Sequence, residues 1–155
     1  MEEKKKPKIK MRAYEPIHKE KENYNFCSVL QAILKRQGIE VSQDEIAANL
    51  TPSEDKFVAD DERVEEFFRQ RGFSYVYYQH NQTPCNERDT LLKKIHDNDG
   101  FVSVDGQAYL LSYFKDPWLE LIDVEHDERR ERDIYSIIAE MSWMGGGFGL
   151  IKKLE

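Results

Sequence analysis

The sequence predicts an α+β fold in which the helices come first and antiparallel strands follow. Apolar residues recur at helical spacing in three segments before residue 72. From residue 73 onward the segments are shorter and richer in aromatic and β-branched residues, and an Asp-Gly pair at 105–106 is a strong hairpin signal. A run of helices followed by a run of strands is typical of α+β proteins rather than of alternating β-α-β units.

Length and composition indicate one globular domain with a heavily charged surface. The chain has 155 residues, the size of a single domain, and carries 23 Lys and Arg against 30 Asp and Glu. Its eight Phe, eight Tyr and two Trp supply the apolar bulk that disordered chains lack. The charged residues 1–22 are predicted to be a flexible N-terminal arm, and residues 23–155 the folded domain.

Two helices are predicted first. The first begins near Asn25, which can cap its start, and ends at Gly38. Its apolar residues at helical spacing are Val29, Leu30, Ile33 and Leu34. The second covers residues 42–50, where Ser42 and Glu45 have the spacing of a capping box.

A third helix, at about 60–71, is predicted to turn Val64, Phe67 and Phe68 inward and to stop at Gly72. The aromatic segment 73–78 then reads as a strand. It is followed by a polar loop, a fourth helix and a turn, at 79–88, 89–96 and 97–100.

The rest of the chain is predicted to be mostly sheet. Three strands, separated by the turns at 105–106 and 115–117, are expected at 101–104, 108–114 and 118–124. A charged loop, a last helix, a Gly-rich bend and an edge strand then follow, at 125–132, 133–141, 145–147 and 148–152.

Charge and hydropathy argue against two classes of partner. A net charge of −7 disfavours nucleic acid, and the one basic concentration, residues 4–12, lies in the terminal arm. No window resembles a membrane span, and residues 1–30 lack the apolar stretch of a signal peptide. A cytoplasmic domain without membrane insertion is therefore expected.

The two cysteines differ in their surroundings. Cys27 lies in the first turn of the first helix, where the helix dipole favours a thiolate, although a small buried core residue is the alternative. Cys85 lies in a polar loop with no adjacent basic residue and is expected to be incidental. Neither has metal-site spacing, and there is no phosphate-binding loop, so no metal or cofactor is expected.

The order of elements and several short motifs resemble the papain-like cysteine peptidases, in particular the bacteriocin leader peptidases that cut after a double-glycine leader. The resemblance covers residues 23–152. The motifs that carry it are Asn25-Phe26-Cys27-Ser28, the stop at Gly38, Arg71-Gly72-Phe73, Asp105-Gly106-Gln107-Ala108-Tyr109-Leu110-Leu111, Leu121-Ile122-Asp123-Val124 and Ser142-Trp143.

The resemblance implies a papain-like fold and a site made of Cys27, Gln107 and Asp123. Cys27 takes the place of the nucleophile and Asp123 that of the orienting residue, but the family's His falls on Gln107, which cannot act as a general base. The family's Gln before the Cys has no counterpart in residues 17–24, and Val124 stands where Pro is usual.

None of the four histidines stands at the base position. They are His18 in the arm, His80 in a loop, His96 at a helix end and His126 in a charged loop, and a surface role is expected for each. His126 is the best placed of them because it follows Asp123 by three residues.

Three functions remain open on the sequence. The first is a degenerate peptidase domain, a pseudoenzyme that binds a peptide or protein partner without cleaving it. The second is an active cysteine peptidase or amidase-type transferase in which Cys27 uses an unexpected base. The third is a structural or adaptor domain in which Cys27 only fills the core.

Overall fold

The computed structural model describes residues 14, 17–22, 24–50, 61–79, 93–95, 98–115, 117–124, 126 and 128–154. Within them, helices pack on a six-stranded antiparallel sheet, which confirms the predicted α+β class. The helices are α1 (Asn25–Arg36), α2 (Gln43–Leu50), α3 (Asp61–Arg69) and α4 (Ile134–Met144). The strands are β1 (Phe73–Gln79), β2 (Asp99–Val104), β3 (Gln107–Lys115), β4 (Trp118–Asp123), β5 (Glu128–Asp133) and β6 (Gly146–Lys153).

Two hydrophobic clusters cover opposite faces of the sheet. The first lies under α1, α2 and α3 and includes Ala108 and Leu110 of β3. The second lies under α4 and includes Leu111 of β3, with Tyr109 packed against it. Because successive side chains of a strand point to opposite faces, these clusters define an inner face toward α1–α3 and an outer face toward α4.

The first three helices agree with the prediction except at the start of α1. Val64, Phe67 and Phe68 are buried, and Ser42 Oγ accepts a 3.0 Å hydrogen bond from the Glu45 N–H, as capping-box spacing predicts. Asn25, however, does not cap α1. It is the first helical residue, with Tyr24 at the cap position, and its side chain bonds to β3 instead.

The predicted glycine-rich bend at 145–147 is correct only for Gly145, which ends α4 with a φ of 81°; Gly146 and Gly147 belong to a strand, so the prediction was wrong for them. Strand β6 starts at Gly146 and lies between β1 and β2 in the order β1-β6-β2-β3-β4-β5, so it is not an edge strand either. A Cβ added at Gly147 would meet the Tyr78 carbonyl, and one added at Gly149 would meet the Phe101 ring. These glycines therefore permit close approach of β6 to its neighbours.

The predicted charged loop 125–132 is largely strand β5, which pairs with β4 from Asp123↔Glu128 to Trp118↔Asp133. Its side chains are mostly exposed at the sheet edge, so no alternation of apolar and polar residues marks it. Asp133, the last residue of β5, caps α4 by accepting hydrogen bonds from the Tyr135 and Ser136 N–H groups.

Strand β2 begins at Asp99, within the segment predicted to be a turn. The nearly buried Asp99 carboxylate accepts two 2.7 Å hydrogen bonds from Arg36 Nη1 and also contacts the Gln37 amide. This ion pair joins the end of α1 to the start of β2. The following turn at Asp105 and Gly106 has two positive φ angles, 51° and 76°, which match the predicted hairpin turn.

Part of the segment predicted to be a flexible arm packs on the domain. Tyr14 is buried in the inner cluster, and the fully buried Gln43 side chain bonds to the backbone of His18 and Glu20 at 2.8 Å each. Composition favoured a free arm because the segment is rich in charge, but the polar contacts of Gln43 hold its backbone.

Several predictions fall outside the described residues. These are residues 1–13, Cys85, His80, His96, the loop after Gln79 and the predicted fourth helix apart from residues 93–95, which are helical. No helix among the described residues has the length and apolar character needed to cross a membrane.

Candidate functional site

Cys27 lies in the first turn of α1 and is fully buried on the inner face of the sheet. It shares the inner cluster with Ala108, Leu110, Ile122 and Val124. Burial raises the pKa of its thiol to about 12, and a hydrogen bond from the backbone opposes this only in part. The sequence predicted that the helix dipole would favour a thiolate, but desolvation is the larger effect here, so the thiol stays protonated at neutral pH.

Gln107 is the first residue of β3, and its side chain lies on the outer face. The Tyr109 hydroxyl donates a 2.9 Å hydrogen bond to Gln107 Oε1, and Tyr109 packs against the outer cluster. Gln107 is exposed and lines a cleft beside α4. Its amide therefore faces away from the inner cluster that contains Cys27.

Asp123 ends β4, is almost fully buried and is paired with His126. The His126 N–H donates to Asp123 Oδ1 at 3.2 Å, and His126 Nδ1 lies 2.9 Å from Asp123 Oδ2. Arg130 Nη2 lies 3.8 Å from the same carboxylate oxygen. The His126 side chain is 59% exposed, so the imidazole is at the surface and the carboxylate orients it.

The pairing of β3 with β4 separates the three predicted site residues into two groups. Leu110 pairs with Ile122, and both belong to the inner cluster with Cys27. Gln107 and Asp123 each lie an odd number of residues from these partners, so their side chains are on the outer face. The sheet therefore brings Gln107 and Asp123 to one face and leaves Cys27 on the other.

The residue of α1 that reaches the start of β3 is Asn25. Its Oδ1 accepts a 2.8 Å hydrogen bond from the Ala108 N–H. Ala108 is buried, and Val124 lies on the same face beyond the Leu110↔Ile122 pair. Asn25, Ala108 and Val124 supply no ionisable side chain at this junction. The only sequence signal for the contact between Asn25 and Ala108 was a small polar residue at the start of a helix, and Asn25 was therefore interpreted as a helix cap.

A polar network near the start of α1 joins buried Tyr24 to exposed Asp44 and Lys21. The Tyr24 hydroxyl donates a 2.8 Å hydrogen bond to Asp44 Oδ1, and Lys21 Nζ lies 3.2 Å from the same oxygen. These two contacts lower the pKa of the Asp44 carboxyl. Among the described residues, no three His, Cys, Asp or Glu side chains are grouped so that they could hold a metal ion.

The architecture, with α1 packed against β3 and β2 of the antiparallel sheet, is that of a papain-like peptidase fold. The chain resembles a double-glycine motif protease from an AMS/PCAT transporter, solved in complex with its leader peptide, with a TM-score of 0.67 and 12% identity. That match covers 92% of this chain and 94% of the other.

A second similar structure is the peptidase domain of Streptococcus ComA, a bifunctional ABC transporter of a quorum-sensing pathway. Its TM-score is 0.63 at 13% identity, over 92% of this chain and 100% of that domain. No family model matches the chain, and no curated protein does. At these identities the comparisons establish the fold, which is the one that the sequence resemblance implied.

Proposed function

We propose that this domain is a degenerate peptidase, a pseudoenzyme that binds a peptide or protein partner without cleaving it. One observation carries the proposal: Cys27 is fully buried on the inner face of the sheet, whereas Gln107 and Asp123 lie on the outer face. A cysteine peptidase needs a thiolate within hydrogen-bond reach of a base that is oriented by a third group.

The chemistry of each position supports the same conclusion. With a pKa of about 12, Cys27 is about one part in ten thousand thiolate at pH 8. Gln107 can exchange hydrogen bonds but cannot accept a proton at neutral pH. At the α1–β3 junction the two residues in contact, Asn25 and Ala108, have an amide and a methyl side chain, neither of which can act as a thiol nucleophile or a general base.

The proposed ligand class comes from the fold. One similar structure is a protease solved with a leader peptide, and a domain of the same fold without the reactive groups can retain peptide binding. We therefore propose a peptide of the double-glycine leader type as the first ligand to test.

The net charge of −7 weighs against nucleic acid as a partner. We also propose that the domain is cytoplasmic, and the location of a fluorescent fusion would test this.

The test combines binding with product analysis. A fluorescein-labelled leader-type peptide that ends in Gly-Gly and a short cargo is titrated with the protein, and the mixture is then analysed by mass spectrometry. We expect a saturable rise in polarisation and an intact peptide after prolonged incubation, both unchanged in Cys27→Ala. Cleavage that disappears in Cys27→Ala would refute the proposal.

A second candidate function is an active cysteine peptidase or amidase-type transferase, and the Asp123–His126 pair favours it. An imidazole oriented by a carboxylate is the normal form of a general base. This function requires that Cys27→Ala and His126→Ala each abolish cleavage, while His18→Ala leaves it intact. Cleavage that survives His126→Ala would exclude this version of the mechanism.

A further inference from the structure

A cleft of about 260 Å³ lies between α4 and the outer face of β3, β4 and β5. Its apolar floor is formed by Val104, Leu121 and Ile137. Its polar rim is formed by Asp105, Gln107, Tyr109, Arg130, Arg132 and Glu140. The cleft is on the face of the sheet opposite Cys27, so it is separate from the α1–β3 junction.

Gln107 contributes a hydrogen-bond donor to this rim. Its Oε1 accepts from the Tyr109 hydroxyl at 2.9 Å, and that bond fixes the orientation of the amide. Among the described residues no acceptor bonds to Nε2, so its two N–H groups remain for a ligand oxygen.

Arg130 and Arg132 add charged donors on the same rim. They are two residues apart on β5, so they lie on the same side of the strand, about 7 Å apart. Arg132 Nη2 bonds to Glu140 Oε2 at 2.5 Å, and Arg130 bonds to Glu128 through Nε at 3.3 Å and Nη2 at 2.9 Å. A guanidinium has five N–H donors, so these bonds leave donors available on both residues.

Glu140 is an internal competitor for Arg132. Its carboxylate on α4 bonds to Nη2 of the guanidinium, and both side chains are partly exposed. Among the lining side chains, Arg130 and Arg132 are positive and Asp105 and Glu140 are negative, and Glu128 and Asp123 also lie near Arg130. A ligand carboxylate that replaces Glu140 on Arg132 would keep the same charge-assisted bond and add one to the Gln107 amide.

We propose that this cleft, formed by the apolar floor and the polar rim, binds a carboxylate that adjoins an aliphatic side chain of a peptide. The inference rests on the proposed peptide-binding function and names the site for it. The aliphatic side chain packs on the apolar floor of the cleft, whose volume suits one or two side chains. The carboxylate binds Arg130, Arg132 and Gln107 on the rim. Half-exposed Met144, four residues after Glu140 on α4, extends the apolar surface for neighbouring peptide residues.

The carboxylate could be the C-terminus of the peptide or an acidic side chain, and three probes distinguish these sources. They are acetyl-Ala-Leu with a free carboxylate, its C-terminal amide, and acetyl-Ala-Leu-Glu-Ala amide. Each is titrated into the ¹⁵N-labelled protein while the backbone and the Gln107 side-chain amide are followed by NMR. We expect saturable shifts of the Gln107 Nε2 signals with one or both carboxylate probes and much weaker binding of the neutral amide.

Three variants make the test specific. Arg132→Gln is expected to weaken binding about tenfold because it removes a charge-assisted contact. Glu140→Gln is expected to strengthen binding several-fold because it frees Arg132 from its competitor. The matched control is Arg129→Gln, since Arg129 is on the same strand but pairs with Glu120 and does not line the cleft.

Equal affinity for the neutral amide, or weaker binding in Glu140→Gln, would overturn the proposal. So would shifts confined to residues around Asn25 and Ala108, but that result would leave the proposed peptide-binding function intact. If leader-type peptides also failed to bind anywhere, the proposed function would fail as well.

Discussion

The Asn25 Oδ1 atom accepts a 2.8 Å hydrogen bond from the backbone N–H of Ala108 and so joins the first residue of α1 to the start of β3. These two residues are 83 positions apart in the chain. This contact occupies the helix–strand junction with an amide and a methyl group. Cys27, two residues later, is directed into the core.

The Asn25 contact is expected to stabilise the fold. Asn25→Ala removes the acceptor and leaves the Ala108 N–H unpaired, which should lower the free energy of unfolding by about 1–2 kcal/mol. Asn25→Asp keeps an oxygen acceptor at a helix N-terminus, where negative charge is favourable, and should cost less than about 0.5 kcal/mol. Urea denaturation of both variants measures the difference. Equal losses would mean that the hydrogen bond contributes nothing.

Cys27 is expected to resist alkylation in the folded protein. Because burial raises its pKa to about 12, both access and thiolate are lacking at pH 8. In a Cys85→Ser background, iodoacetamide should modify Cys27 rapidly in urea and at least a hundredfold more slowly in the folded protein. Burial and the raised pKa together imply a rate ratio of roughly this size. Mass spectrometry measures both rates. Modification of the folded protein at the rate of a free thiol would contradict the burial.

The same pKa shift predicts a loss of stability at alkaline pH. Between the ordinary thiol pKa of 9.0 and about 12, the unfolded chain releases this proton and the folded chain keeps it. The free energy of unfolding should therefore fall as pH rises through that window. Cys27→Ala should fall less steeply over the same range, and parallel curves for the two proteins would count against the raised pKa.

Introducing a base at position 107 is not expected to activate a thiol at the α1–β3 junction. In Asn25→Cys, adding Ala108→His brings the imidazole to the inner face beside the new thiol and should increase its alkylation rate at pH 7. Adding Gln107→His instead brings the imidazole to the outer face and should not. Urea denaturation tests whether both double variants fold. If Gln107→His increased the alkylation rate more than Ala108→His did, the assignment of these two side chains to the outer and inner faces would be wrong.

Gly149 is expected to be intolerant of any side chain because a Cβ there would meet the Phe101 ring. Gly149→Ala should lower the free energy of unfolding by about 1–3 kcal/mol. Phe101→Leu removes the ring atoms that cause the clash, so the loss on adding Gly149→Ala should be smaller in that background. Additive losses in the double-mutant cycle would show that the ring is not the obstacle.

The sequence predicted most elements well because local signals and burial agreed. Phe67 and Phe68 on α3, the positive-φ turn at Asp105-Gly106 and the aromatic strand from Phe73 follow from periodicity and turn chemistry alone. Strand β5 was missed because Arg129, Arg130 and Arg132 lie at an exposed edge, where pairing with β4 imposes no apolar pattern.

For the candidate site, less could be predicted from the sequence than for the fold. The sequence alone was enough to select Cys27, Gln107 and Asp123 as candidate site residues and to show that position 107 has no imidazole. Both statements depend only on residue identity and on the order of the elements. The tertiary structure decided which side chains meet. A one-residue difference along a strand reverses the face, and two residues along a helix turn the side chain by about 200°. Because of these rotations, Cys27 lies apart from Gln107 and Asp123, and the residues in contact at the α1–β3 junction are Asn25 and Ala108.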